Sequence, residues 1–350
     1  MNKDKVKQRR YFIVFFILLF LCVVFSSSIG SANLSARDSL KIILSKIPLI
    51  HSKVDISHMN KVYVKIIWEI RMPRIFLAGL TGWGLSVVGA VFQSLFRNPL
   101  ADPHILGVSS GAAFGATIAM ITGIQLNFLG LGVIGIFAFL GAMITVFLVY
   151  HLGCIGNKLP IVNILLTGTA ISTMLSSFIS LLMTFHQEQI DKVYLWTLGS
   201  FSASSWSKVR YLSIFVLLCT MVILFFSREL DVMTTGGDTA QSLGIDTIRV
   251  RKILILLSSL LVAACVSVSG IIGFIGLVIP HCVRFLTGPK HQSVLPLSCL
   301  LGAIFMILCD TIARTVAAPV EIPVGVITAL LGTPYFIILL QNHKRKLVSH

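Results

Sequence analysis

Apolar stretches without a single formal charge alternate with polar ones from end to end of the chain. They cover Tyr11–Ala36, Ile75–Phe96, Ile105–Asn157, Leu159–His186, Tyr211–Ser227, Ile253–Val283, Gln292–Cys309 and Val324–Gln341. About 20 apolar residues cross a bilayer as a helix. Backbone groups in lipid must be satisfied internally, so helices are the form these lengths allow. Ile105–Asn157 holds two such spans, with a break near Gly123–Asn127.

Ile253–Val283 is long for one span and short for two. Arg249, Arg251 and Lys252 precede it, and Arg284 and Lys290 follow. Cytoplasmic loops are enriched in Lys and Arg. With both flanks inside, the run must go out and come back, turning near Ser269-Gly270. One helix of that pair must be short, which is tolerated when it is buried against protein. The total is ten spans. That places both basic termini in the cytoplasm, with Lys3, Lys5, Lys7, Arg9 and Arg10 at one end and Lys344, Arg345 and Lys346 at the other. The expected fold is an all-α polytopic membrane protein with a single transmembrane domain over residues 1–350. Its parts are a first span at 10–36, an extracellular amphipathic loop at 37–70 and a cytoplasmic loop at 228–251. The basic N-terminus followed by an apolar run mimics a signal peptide. The further spans behind it favour an uncleaved first helix.

Composition agrees with the bilayer as main solvent. Apolar residues make up 56% of the chain and charged residues 12%, against about 25% charged in soluble domains. The net charge of +15 reads as loop topology, not as a nucleic-acid surface. One region runs against the charge rule. The outer loop carries Arg37, Lys41, Lys46, Lys53, Lys61, Lys65, Arg71 and Arg74, opposed only by Asp38, Asp55 and Glu69. A docking surface would account for that excess, and Leu40–Ile50 is amphipathic enough to lie on the membrane.

The seven cysteines are scattered, and C-x-x-C pairs are absent. They read as small lipid- or helix-facing residues, with no metal site or disulfide frame. A Walker P-loop, H-E-x-x-H, G-x-S-x-G and a carboxylate cluster are all missing. No cofactor, metal or catalytic residue is expected, and energy for uphill transport would come from another chain.

Six motifs carry candidate chemistry. Arg71-Met-Pro-Arg74 opens the second span, either as interfacial arginines or as a basic dock for acidic side chains. Asn98-Pro99-Leu100 opens a tight polar turn flanked by Pro99 and Pro103, either a well-made cytoplasmic turn or a gate. Gly107, Gly111 and Gly115 are spaced to let another helix approach. Gly236–Ile245 predicts a short helix with Asp238 as N-cap and Gly244 as C′ stop, suited to a partner's groove. Gly270-x-x-Gly273-x-x-Gly276 leading to Pro280-His281 implies a distorted helix, with His281 as a packed or capping residue. Asp310 and Arg314 are four apart and can pair, with Glu321 and Pro323-Val-Gly325 following.

Together these pieces resemble the iron–siderophore, haem and vitamin B12 permeases of type II ABC importers, over roughly residues 60 to 341. The matching segments are R-M-P-R at 71–74, G-A-V-F-Q-S-L-F-R-N-P-L-A-D-P at 89–103 with I-L-G-V-S-S-G-A behind it, and Trp196 with Leu198-Gly199-Ser200. Ala240 with Leu243-Gly244, G-F-I-G-L-V-I-P-H at 273–281, Asp310-x-x-x-Arg314 and Glu321-x-Pro323-x-Gly325 complete the set. The resemblance implies a type II ABC importer permease fold in the bacterial cell membrane. It also implies a second permease subunit, two cytoplasmic ABC ATPase subunits and an external substrate-binding protein. Arg71, Arg74 and Arg314 would receive glutamates of that binding protein. Asn98, Pro99 and Leu100, with the loop Gly153–Lys158, would form the cytoplasmic gate. Gly237, Asp238, Ala240, Leu243 and Gly244 would form the coupling helix. Asp238 stands where the family often has Glu, and the Lys-rich loop at 41–65 is longer than the resemblance leads one to expect. The competing class, an ion-coupled secondary transporter or channel, would require in-membrane charges that these nearly uncharged spans do not supply.

Overall fold

The computed structural model describes residues 3–30, 35–46, 55, 59–124, 127–128, 130–155 and 160–348. Helix α1 (Lys3–Ser28) stops well before the end of its apolar run. The hydroxyls of Ser27 and Ser28 turn back onto the carbonyls of Val24 and Phe25, each at 2.8 Å. Such local bonds compete with helix continuation. Helix α2 (Ala36–Ser45) is capped by Ser35, which accepts from the Asp38 N–H. It buries Ser39, Ile42, Ile43 and Ser45 and exposes Arg37 and Lys41. Residues 47–54 and 56–58 of the Lys-rich loop lie outside the described residues.

The second span begins earlier than its uncharged run. Asn60 caps α3 (Lys61–Lys65) by accepting from the Val62 N–H. A π-helical turn (Ile66–Arg71) then leads into α4 (Met72–Leu95). Charge ended the sequence reading at Ile75. The extension tolerates it because Lys65 and Glu69 are solvent-exposed and 3.8 Å apart, one turn from each other.

Helix α5 (Val108–Thr122) and α6 (Val133–Gly153) are joined by a two-rung antiparallel pair, β1 (Asn127–Phe128) with β2 (Leu131–Gly132). Then follow α7 (Ile161–Phe185), α8 (Ile190–Thr197), α9 (Trp206–Phe225), α10 (Ser227–Thr235) and α11 (Gly237–Ser242). The chain ends with α12 (Thr247–Ser269), α13 (Ile275–Thr287), α14 (His291–Ala313) and α15 (Val324–Val348). The long run after Arg251 is thus divided between α12 and α13, at Gly270 with φ 71°. Among the described residues, eight helical stretches are long and apolar enough to cross a membrane, and α5 and α13 are shorter apolar helices.

Helix α4 is the most buried of the long spans, while α1, α7 and α15 are the least. Two glycine crossings place α4 at the centre. A Cβ on Gly82 would overlap Gly302 O of α14, and a Cβ on Gly89 would overlap Gly276 O of α13. In a bilayer such close approach is what holds helices together, since lipid tails are as apolar as leucine. Gly111 and Gly115 lie against Gly141 and Phe137 of α6 in the same way. Gly107 differs from the expectation of one shared face. It is the N-cap of α5, in the left-handed region at φ 73°, near Thr145 and Ser172.

The two short helices explain how 96–107 is packed. At 1.5 Å rise per residue, α5 spans roughly 22 Å and α13 roughly 20 Å, less than the hydrocarbon core of about 30 Å. Their N-termini lie inside the helix layer. Pro103 packs against Gly276 beside Leu85 O, midway along α4. His104 Nε2 lies 2.9 Å from Ile272 O, in the link between α12 and α13.

Candidate functional site

One end of the bundle gathers the predicted arginines. Arg71 ends the π turn, Arg74 lies in the first turn of α4, and Arg314 caps α14. Arg74 Nε is 3.0 Å from both Asp310 carboxylate oxygens, and Nη2 is 2.9 Å from Oδ1. Its Nη1 reaches Glu321 Oε1 at 2.8 Å and Oε2 at 3.0 Å. One guanidinium thus bridges two carboxylates in fork geometry. Arg314 Nε stands 3.9 Å from Asp310, so the pair read from the i,i+4 spacing is the longer of the two that Asp310 makes.

Arg71 and Arg314 also bond to the end of α1. Arg71 Nη1 donates to Ser27 O at 2.7 Å and Ser28 O at 3.1 Å. Arg314 Nη1 donates to Ile29 O at 2.7 Å, and Nη2 to Ser26 O and to Ser26 Oγ at 3.0 Å. The last carbonyls of a helix lack intrahelical partners and carry the negative end of its dipole, so cations are favoured there. Sequence reasoning missed this role of α1. The Ser26-Ser27-Ser28 run that ends the helix was the available signal. Asp310 is 1% exposed and Arg71 5%, whereas the Glu321 side chain is 44% exposed. Glu321 is therefore the most accessible group of the cluster.

At the opposite end of α4 lies the Asn98–Leu100 turn. Asn98 Oδ1 accepts from the Leu100 N–H at 2.9 Å, and Asp102 Oδ1 from the His104 N–H at 2.8 Å. Arg97 enters the turn at φ 47°, a region that non-glycine residues seldom occupy. Asn98 and Pro99 are exposed. Gln93 ties this end of α4 to α13. Its Nε2 donates to Gly276 O at 3.2 Å and Leu277 O at 3.1 Å, and its Oε1 accepts from Arg284. Of the partner loop, Gly153 closes α6, and residues 156–159 lie outside the described residues.

Helix α11 begins earlier than expected. Its N-cap is Gly236, so Asp238 lies inside the first turn and not at the cap. The side chain of Asp238 is outside the described residues. Gly244 takes the left-handed φ of 82°, and the Ile245 N–H bonds Ala240 O at 3.0 Å, a C′-glycine stop. Ala240 is fully buried and Leu243 is 66% exposed, so the helix is seated by one residue and presents the other. His281 Nδ1 lies 2.7 Å from Tyr335 OH, joining α13 to α15. Among the described residues, no group of three or more His, Cys, Asp or Glu is placed to hold a metal ion.

The described residues form a bundle of apolar helices with buried polar ties at both ends of a central helix. The chain belongs to the FecCD transport family, which it matches over residues 18–342. It is a multi-pass cell-membrane protein of that family. It is 40% identical to the cobalamin import system permease of Halobacterium salinarum, over 80% of this chain and 74% of that protein. It is 35% identical to the molybdate import system permease of Haemophilus influenzae, over 94% of each. Its fold superposes on a metal-chelate ABC transporter solved in an inward-facing conformation with a TM-score of 0.82, at 33% identity, covering 95% of this chain and 99% of that one.

Proposed function

We propose that this chain is one of two permease subunits in an ATP-driven importer of a metal chelate, foremost an iron–siderophore, with haem or cobalamin as the alternatives. The observation that carries the reading is the match, over nearly the whole chain, to a metal-chelate ABC transporter at 33% identity. We read the eight long helices together with the shorter α5 and α13 as ten crossings, with both termini in the cytoplasm; the eight apolar lengths support that reading. Cargo arrives on an external binding protein. Glutamates of that protein meet the Arg71, Arg74 and Arg314 cluster by displacing Glu321 from Arg74, which leaves the buried Asp310 pair in place. Cargo leaves past Asn98, Pro99 and Leu100. Leu243 on α11 enters a groove on a cytoplasmic ATPase, which hydrolyses ATP in place of this chain.

The face of α7 supports a wide, weakly binding path. Thr169, Thr173, Ser177, Ser180 and Thr184 are exposed along it, and each hydroxyl donates to a carbonyl three or four residues earlier. Such a stripe offers acceptors without charge, so cargo can slide along it. The relatives import cargoes as different as cobalamin and molybdate, so the cargo is settled by experiment.

The test is uptake of labelled ferric siderophore, haem and cobalamin in cells lacking the gene and in cells with it restored. Restoration of one cargo, blocked by vanadate, is the expected result. Restoration that ignores vanadate but collapses with an uncoupler would overturn the ATP-driven reading in favour of ion coupling.

A further inference from the structure

Helix α10 is fastened to the inner ends of two membrane helices by one buried histidine. His291, the first residue of α14, is 1% exposed. Its Nδ1 lies 2.6 Å from Asp231 Oδ1, and its backbone N–H donates to the same oxygen at 2.8 Å. Its Nε2 meets the Ser94 hydroxyl in the last turn of α4. That hydroxyl has one hydrogen to give, to Ala90 O at 2.9 Å or to the ring. In either arrangement the imidazole joins α10, α14 and α4. A second tie runs beside it, from Arg97 Nε to Met233 O at 3.2 Å.

What lies on either side of this clasp gives it meaning. Only Gly236 separates α10 from α11, whose Leu243 is exposed. Beyond Ser94, α4 ends one residue later and the Asn98–Leu100 turn begins. Packing transmits movement through discrete, well-joined contacts and not through loose ones. Helix α4 is also locked to α14 at the Gly82–Gly302 crossing, and Ser86 Oγ lies 2.7 Å from Ser298 O there. A displacement of α10 therefore has a bonded path to the gate turn and to the α4–α14 pair.

We infer that His291, held between Asp231 and Ser94, is the positioning residue that carries movement of the α10–α11 pair to the inner ends of α4 and α14, and so to the Asn98–Leu100 turn. This rests on the reading of α11 as the contact with an ATPase. The alternative route, from α11 directly into α12, bypasses the clasp. It has its own bracing, since Gln241 Nε2 bonds Thr247 Oγ1 at 3.2 Å.

The experiment is hydrogen exchange on the intact complex purified with its ATPases, with and without ATP plus vanadate. It compares wild type, His291→Ala and Asp231→Ala. Asp231 is one-third exposed, so its variant keeps folding intact if the histidine variant does not. In wild type, nucleotide changes exchange in both 229–246 and 96–107. In the variants the change in 229–246 persists and the change in 96–107 is lost, although the Arg97 tie remains. Retention of both changes in Asp231→Ala and His291→Ala would overturn the clasp and leave the ATPase contact standing. No change in 229–246 of the wild type would overturn the ATPase contact and the clasp together.

Discussion

The two ends of the α4–α14 pair hold their polar groups by different means. At the arginine end, three guanidiniums share two carboxylates and the terminal carbonyls of α1, so bonds are redundant and charge is in excess. At the other end, one imidazole joins three helices, with a single Arg97–Met233 tie beside it and a backbone held at φ 47°. A redundant cluster can release one partner, Glu321, and keep its fold. A single joint can only be made or broken. The difference fits an end that exchanges partners and an end that relays movement.

Breaking the shared axis has the largest expected effect. Gly82→Leu or Gly89→Leu puts a side chain where Gly302 O or Gly276 O stands, and no rotamer avoids backbone atoms. Each should abolish folded protein in detergent, read by size-exclusion chromatography. A normal profile would show that α4 does not cross its neighbours this closely.

Next comes Asp310→Ala. It leaves Arg74 and Arg314 buried beside an absent carboxylate, a change that costs about 3–5 kcal/mol in buried pairs. The apparent melting temperature in detergent should fall further than for Glu321→Gln. Equal shifts would mean that Asp310 is not the anchor of the cluster.

Leu243→Glu should leave folding untouched, since the side chain is exposed, and should separate the chain from its ATPase or uncouple hydrolysis from uptake. Intact coupling would remove α11 from that role. The mildest change is Glu321→Gln, which frees Arg74 Nη1 from a half-exposed partner. Exposed pairs are worth roughly 0.2–1 kcal/mol, so affinity for the binding protein should rise no more than about fivefold. Weaker binding would show that Glu321 contributes to docking itself.

The helices were legible because a bilayer demands long apolar runs, and the basic flanks of Ile253–Val283 required a path out and back, with its turn near Ser269-Gly270. The start of the second span was not legible from charge. Its local signal was the Asn60 cap, which the charged residues after it obscured. The arginines were found as motifs, but their partners were not. Arg74 and Asp310 are 236 positions apart, and a bond across that separation leaves no periodicity in the sequence. His291 was invisible for the same reason. It lies just after a basic turn, and only packing shows that both ring nitrogens are used. Gly107 misled because its spacing matched Gly111 and Gly115 while its backbone lies outside their helix.

The most direct measurement is ATP hydrolysis by the complex reconstituted in liposomes, with its binding protein added to the face bearing Arg71, Arg74 and Arg314. The account predicts that the loaded binding protein accelerates hydrolysis on the opposite face. Hydrolysis indifferent to the binding protein would contradict a permease that links the two faces through α4 and α14.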